Sequence, residues 1–204
     1  RLDSTLERAG QLPATDKPVQ VLVAPTWGPN GLLEQHGLAA IKPLIEAGLR
    51  VVLRPHPRTR KFAGPVLEEI AEYYKNEPLF RIDEDSDGSA SLLGSDIMLS
   101  DWSGAAFEFA FGLERPVIFA AAPPTVLYAG YAAFGPVPVE VQAREQLGVI
   151  VSTDRLAELG KVAEDLASEA VNWQKALREA RQRWIFNTGK SGDTAAAYLV
   201  SLTN

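Results

Sequence analysis

The chain has 204 residues, 46% hydrophobic and 23% charged, which is enough for one well-buried core and too little for two. A net charge of -6 argues against a general nucleic-acid binder, because affinity for a phosphate backbone rests on a surplus of Lys and Arg; any anion site here has to be local. With no cysteine there is no disulfide, thiolate metal site or cysteine nucleophile, and two histidines argue against a histidine-based zinc site.

No stretch approaches the roughly eighteen apolar residues of a spanning helix. The chain starts at Arg1 with neither a Met nor an apolar or transit-type leader, which predicts a piece of a longer protein. Positions 1–18 are polar and broken by Gly10, Pro13 and Pro18, and read as a lead-in to a single domain over 19–204. The run VQVLVA over 19–24 is near-continuously apolar and β-branched, as expected of a strand covered on both faces. A loop with Trp27, Gly28 and Gly31 follows, then helical spacing of Leu38, Ile41, Leu44 and Ile45 closed by Gly48. RVVL over 50–53 predicts a second strand, the prolines Pro55 and Pro57 a rigid loop, and 65–75 a helix with Val66, Ile70 and Tyr73 or Tyr74 inward.

Further strands are predicted over 79–82, 97–99 and 116–119, with a helical turn over 89–93 and a helix over 103–113 between them. Helices alternating with short buried strands define parallel βαβ units, so the expected class is α/β with a Rossmann-like open parallel sheet. Positions 120–139, rich in Pro, Gly, Ala and Tyr, read as a long loop of a kind that often carries function. A last strand is expected over 149–151, followed by closing helices over 156–167, 173–186 and 194–202.

In such a sheet ligands bind beyond the carboxyl ends of the strands. Three strand ends carry suitable chemistry. After the first, Pro25, Thr26 and Trp27 offer small and hydroxyl groups beside accessible backbone N–H, which is also what a plain turn offers. After the second, Arg54, His56 and Arg58 belong to a stretch with five basic residues (Arg50, Arg54, Arg58, Arg60, Lys61) and no acidic one, which suits a phosphate or another anion as well as a solvated basic loop. After the fourth, Ser100, Asp101, Trp102, Ser103 and Gly104 run into a helix. Ser103 suits its N-cap, and Gly104 lets a ligand oxygen approach the first-turn N–H groups at the positive end of the helix dipole. Glu108, one turn on, could reach ribose hydroxyls or simply face solvent. The GKS at 189–191 lacks the earlier glycine and preceding strand of a P-loop and reads as a turn between helices.

APTW after strand one, RPHP after strand two and SDWSGAAFE after strand four resemble, in order and spacing, the C-terminal half of CDP-glycerol glycerophosphotransferases, the teichoic-acid polymerase family with a GT-B fold. Arg1, Leu2 and Asp3 resemble a segment preceding that half, Arg115 to Phe119 its following strand, and Gly189 to Ala195 its closing segment, so the resemblance runs along nearly the whole chain. It implies one lobe of a GT-B fold that holds the nucleotide of a CDP-linked donor, with no further cofactor. His56 carries over as an acid/base group or phosphate contact. Thr26, Trp27, Arg54, Arg58, Ser100, Asp101, Ser103 and Gly104 carry over as nucleotide or phosphate contacts, and Glu108 as a ribose contact. It implies transfer of glycerol phosphate, or another polyol phosphate, to a hydroxyl of a polymer or lipid-linked acceptor held by an N-terminal lobe, at the cytoplasmic face of the membrane. This lobe alone is expected to be inactive. The family's DYSS is Asp101-Trp102-Ser103-Gly104 here, and a serine-glycine pair with Glu108 five residues after the serine also resembles UDP-GlcNAc 2-epimerases. A UDP-sugar enzyme and a non-catalytic nucleotide-binding module are therefore the competing expectations.

Overall fold

A computed structural model describes residues 17–85, 89–123, 130, 133, 135 and 137–202. Strands β1 (Gln20–Val23), β2 (Arg50–Leu53), β3 (Phe80–Ile82), β4 (Ile97–Ser100), β5 (Val117–Ala120) and β6 (Gly148–Val151) form one sheet. All pairs are parallel, in the order β3-β2-β1-β4-β5-β6. The order reverses between β1 and β4, which makes their adjoining carboxyl ends the topological switch point of the sheet.

Alternate strand residues face opposite layers. Val21, Val23, Val51, Leu53, Ile97 and Leu99 join one buried cluster, and Leu22, Val52, Met98, Val117 and Phe119 the other. Both faces being covered explains why the strands read as continuous apolar runs instead of alternating ones. The first layer includes α1 (Leu32–His36), α2 (Lys42–Glu46), α4 (Gly64–Tyr73) and α9 (Leu159–Ser168). On α9, Gly160 allows the close approach to α2, because a Cβ there would stand 2.5 Å from the Pro43 carbonyl oxygen. The second layer is built on α6 (Ala105–Leu113) and α10 (Ala170–Trp184). Glu114, left-handed at φ 56° and almost fully buried, caps α6 and joins it to α10 through Arg178 at 2.7 Å and Arg181 at 2.8 Å.

Several expectations are corrected. The segment after Pro55 is not a rigid loop throughout: α3 (Pro57–Phe62) begins at once, with Pro57 in the first turn, where its missing N–H costs nothing. The helix expected around 38–45 is divided into α1, a 3-10 turn (Gly37–Ala40) and α2, whose first turn accommodates Pro43. Tyr74 is the inward tyrosine of its pair, while Tyr73 is exposed. Short helices α5 (Ser89–Gly94), α7 (Val139–Gln142) and α8 (Arg144–Leu147) complete the connections, the last two on ground with no readable periodicity. The final helix, α11 (Ser191–Ser201), starts before Gly192 and has no side-chain cap. Most of the lead-in and Tyr128 and Tyr131 of the long loop lie outside the described residues. No helix among the described residues is long and apolar enough to cross a membrane.

Candidate functional site

The motif loops after β1, β2 and β4 meet at the carboxyl edge of the sheet, and named contacts hold them together. Asp101 is the pivot. Its carboxylate is 1% exposed and accepts from the backbone N–H of Thr26 (2.6 Å) and Trp102 (2.6 Å) through Oδ1 and of Leu32 (3.1 Å) through Oδ2. One carboxylate thereby fixes the β4 loop to the β1 loop and to the start of α1. Ser100, fully buried, donates its hydroxyl to the Ala24 carbonyl at 2.8 Å. The side chains of Ser100 and Asp101, expected at the ligand, are thus consumed inside the protein, where they set the path of both loops.

Trp27 carries the connection to β2. Its ring stacks on the His56 imidazole (centroids 6.2 Å apart, planes at 27°), and the Arg58 guanidinium lies 4.4 Å from its centroid. His56 caps α3: its Nδ1 accepts from the backbone N–H of Arg58 at 3.1 Å. An Nδ1 that accepts carries no proton, so the neutral ring bears its proton on Nε2. Burial first, and the Arg58 charge second, hold the imidazole below its ordinary value against the opposing charge of Glu34. The result is a neutral ring at pH 7 with Nε2–H as its donor.

Glu34 was not singled out in the sequence. Its Oε1 accepts from the Thr59 hydroxyl at 2.8 Å and weakly from the Gly28 N–H at 3.4 Å, tying the Trp27 loop to α3, while its Oε2 is buried without a partner. Only its place after a glycine-bounded loop hinted at it.

The basic stretch after β2 divides. Arg50 opens β2 at the opposite edge, where it shares a surface cleft with Asp96 and Arg115. Arg60 donates to the Asp83 carbonyl at 2.5 Å and lies 3.5 Å from Glu84. Arg54 and Arg60 line a 370 Å³ cavity with Asp83, Glu84 and Asp85. The cluster of five cations is therefore reduced at the His56 corner to Arg58 and its neighbour Lys61, with Arg54 on the β3 side.

At β4 the chain enters α6 through Ser103 and Gly104. The N-cap of α6 falls on Gly104 and not on Ser103 as expected, but Ser103 Oγ accepts from the Ala105 N–H at 3.3 Å and its carbonyl from the Ala106 N–H, so it serves the first turn from one residue further out. Gly104 adopts an ordinary right-handed conformation at φ -60°, and a Cβ there would meet no atom within 4 Å. The space over it is open. Glu108 is half-buried on the first turn of the same helix. Trp102, where the motif would have tyrosine, donates Nε1–H to the Ala122 carbonyl at 2.7 Å and so joins the β4 and β5 loops. Arg144, from the start of α8, was also missed: it is 5% exposed and lies between the rings of Trp102 (4.2 Å) and Phe119 (4.7 Å). Among the described residues no group of three His, Cys, Asp or Glu could hold a metal ion.

A parallel sheet whose order reverses between β1 and β4, flanked by helices on both faces, gives the chain the architecture of one lobe of a GT-B fold. The chain belongs to the CDP-glycerol:poly(glycerophosphate) glycerophosphotransferase family, whose model matches residues 3–133. No curated protein matches the sequence significantly. Among solved structures it is similar to Anabaena HepE in complex with UDP and glucose, at 14% identity and TM-score 0.53, covering 90% of this chain and 48% of that one. It is similar to the Methanocaldococcus jannaschii UDP-GlcNAc 2-epimerase in complex with UDP-GlcNAc and UDP, at 16% identity and TM-score 0.50, covering 89% and 51%. It is also similar to a mutant of S. aureus TarM in complex with fondaparinux, alpha-GlcNAc-glycerol and UDP, at 12% identity and TM-score 0.50, covering 96% and 38%. The chain thus spans about half the length of these proteins or less.

Proposed function

We propose that this chain is the donor-nucleotide lobe of a transferase that moves glycerol phosphate, or a related polyol phosphate, from a CDP-linked donor to a hydroxyl of a polymer or lipid-linked acceptor. The observation that carries the reading is the joining of all three family motifs at the switch point: the chain of contacts His56–Trp27, Thr26–Asp101 and Asp101–Trp102 runs without a gap. The donor diphosphate would lie across Ser103, Gly104 and the start of α6, where N–H groups and the helix dipole favour an anion. The His56 Nε2–H and Arg58 would face it from the β2 side, and Thr26 from the loop between. Glu108 would serve the ribose.

The chemistry is attack by an acceptor oxygen on the distal phosphorus, with breakage of the bond to the departing CMP oxygen, which keeps the electron pair. Such a step depends mostly on positioning and charge stabilisation. His56 contributes as a hydrogen-bond donor to the diphosphate. To act as a general base at Nε2 it would need its proton on Nδ1, which faces the Arg58 N–H; to act as an acid it would need both nitrogens protonated against the same N–H. The acceptor and its activating group belong to the rest of the protein, consistent with the chain's spanning about half the length of its solved relatives or less.

Calorimetric titration with CDP, CDP-glycerol and UDP, on the wild type, Ser103→Ala and His56→Ala, tests the reading. It expects CDP over UDP, weakened in both variants. A preference for UDP overturns the donor assignment in favour of a UDP-sugar enzyme, the reading the Ser103-Gly104 pair with Glu108 favours. No nucleotide binding to any of them overturns the lobe's role as a donor site.

A further inference from the structure

Among the described residues Arg144 is a buried charge with no ion pair. Its side chain is almost wholly buried, yet its Nε has no hydrogen-bond partner, and Nη2 reaches only the carbonyl oxygens of Asp101 and Ala120, each at a long 3.3 Å. Among the described residues no carboxylate forms an ion pair with it. The nearest acid, Asp101, already spends both oxygens on three backbone N–H groups. Burial lowers the guanidinium's pKa, with Asp101 acting in the other direction. The rings of Trp102 and Phe119 offer cation–π attraction, which offsets only part of the desolvation. Glu114 is the contrast within the same molecule: a charge buried as deeply, but answered by two arginines.

The place of this cation is specific. Trp102, on which it stacks, immediately precedes Ser103 and Gly104, and the Asp101 carbonyl it touches belongs to the same loop. The start of α6 adds its own partial positive charge there. Two positive sources thus act on one loop, and the space beside Gly104 is open. A charge left uncompensated inside the protein, beside a surface able to receive an anion, has its natural counter-ion in the ligand.

We propose that Arg144 is a positioning residue of the donor site, whose guanidinium holds loop 101–104 against the β5 end and supplies buried positive charge that attracts the donor diphosphate. The inference rests on the reading of this edge as a nucleotide-diphosphate site. Among the described residues the cation forms no ion pair, the Asp101 carboxylate keeps its three backbone N–H donors when the cation is removed, and an unbranched apolar side chain of similar length fills the slot between the rings. Replacing a buried charge that has no ion-pair partner by an apolar group relieves its desolvation cost. A merely structural arginine would behave in the opposite way.

The test is titration of the 204-residue chain with CDP, CMP and inorganic pyrophosphate, on the wild type, Arg144→Met and Arg144→Lys, with melting curves of the three proteins without ligand. Arg144→Met is expected to melt at or above the wild type yet to lose CDP and pyrophosphate affinity roughly tenfold, as a charge acting across a screened gap of several ångströms would predict. The loss for CMP is expected to be smaller, and Arg144→Lys to fall between the wild type and Met. Arg144→Met binding CDP like the wild type overturns the inference and leaves the nucleotide reading standing. So does an equal loss for CMP and CDP, or a Met variant that fails to fold or melts well below the wild type, since each marks a purely structural cation. A wild type that binds neither CDP nor pyrophosphate overturns both readings.

Discussion

The two edges of the sheet use polar residues in opposite ways. At the amino edge the buried and half-buried groups answer one another: Asp96 accepts from the Gln20 N–H at 2.7 Å, Gln20 donates to Ser95, Arg115 donates to the carbonyls of Leu93 and Ser95, and Glu114 binds Arg178 and Arg181. At the carboxyl edge such groups are left partly unanswered. Of the four buried side-chain polar atoms without partners among the described residues, three lie there, on Glu34, Asp83 and Arg144; the fourth is the Tyr74 hydroxyl. Unmade hydrogen bonds are costly in the folded state, and they concentrate where a ligand could complete them. On the proposed function one edge serves stability and the other binding, so substitutions should separate the two properties.

The largest effect on stability is expected at the amino edge. Glu114→Ala removes the buried acceptor of two arginines and should cost about 2–3 kcal/mol in chemical denaturation, with CDP affinity unchanged. Glu114→Gly loses the same ion pairs but relieves the left-handed backbone, and should recover about 1 kcal/mol of that cost. If either variant weakens CDP as much as it weakens the fold, the division between the edges fails.

At the carboxyl edge the expected signs reverse. Gly104→Ala places a Cβ in open space on a residue already in the right-handed region, so stability should hold or rise slightly. If a phosphate oxygen rests on that backbone, the same methyl group should reduce CDP affinity by roughly tenfold, a loss of about 1.4 kcal/mol. His56→Ala should lose both binding and the cap of α3, worth about 1 kcal/mol, whereas His56→Asn should restore the cap and leave binding weak. Recovery of CDP affinity in His56→Asn would mean that the cap, and not Nε2–H, is what the site requires.

The fold was largely legible because parallel strands buried on both faces announce themselves as short apolar runs. RVVL matches β2 residue for residue, and the other strands differ from expectation by a residue or two. The local backbone was legible at β4's exit, where Ser103 serves the first turn of α6 and the space around Gly104 is open. The candidate site was misread where side chains turn inward: Ser100 and Asp101 look like ligand groups in a motif, but the Ser100 hydroxyl goes to a carbonyl just after β1 and the Asp101 oxygens to N–H groups of the β1 loop, of α1 and of Trp102, which no local pattern reveals. The five cations near His56 looked like one patch because sequence proximity ignores that a strand carries Arg50 and Arg54 to opposite edges. Arg144 gave no signal, since its neighbours Trp102 and Phe119 arrive from other elements and α8 is a single turn.

The smallest predicted effect tests the protonation state of His56. In the unfolded chain the ring titrates near 6.5, and in the folded protein burial and Arg58 lower that value. As pH falls through 6.5, the unfolded state binds a proton that the folded state does not, so this group's stabilisation is full above 6.5 and is lost progressively down to the folded value. Stability of the wild type should therefore decline more steeply than that of His56→Asn over this window, while the two run parallel from pH 7 to about pH 8. CDP binding provides the complementary reading. A neutral Nε2–H donor remains in place as pH rises from 7 to about 8, so affinity should stay level; affinity that falls as the ring deprotonates would mean that an imidazolium holds the diphosphate, and that the Arg58 N–H does not keep Nδ1 free of its proton once ligand is bound.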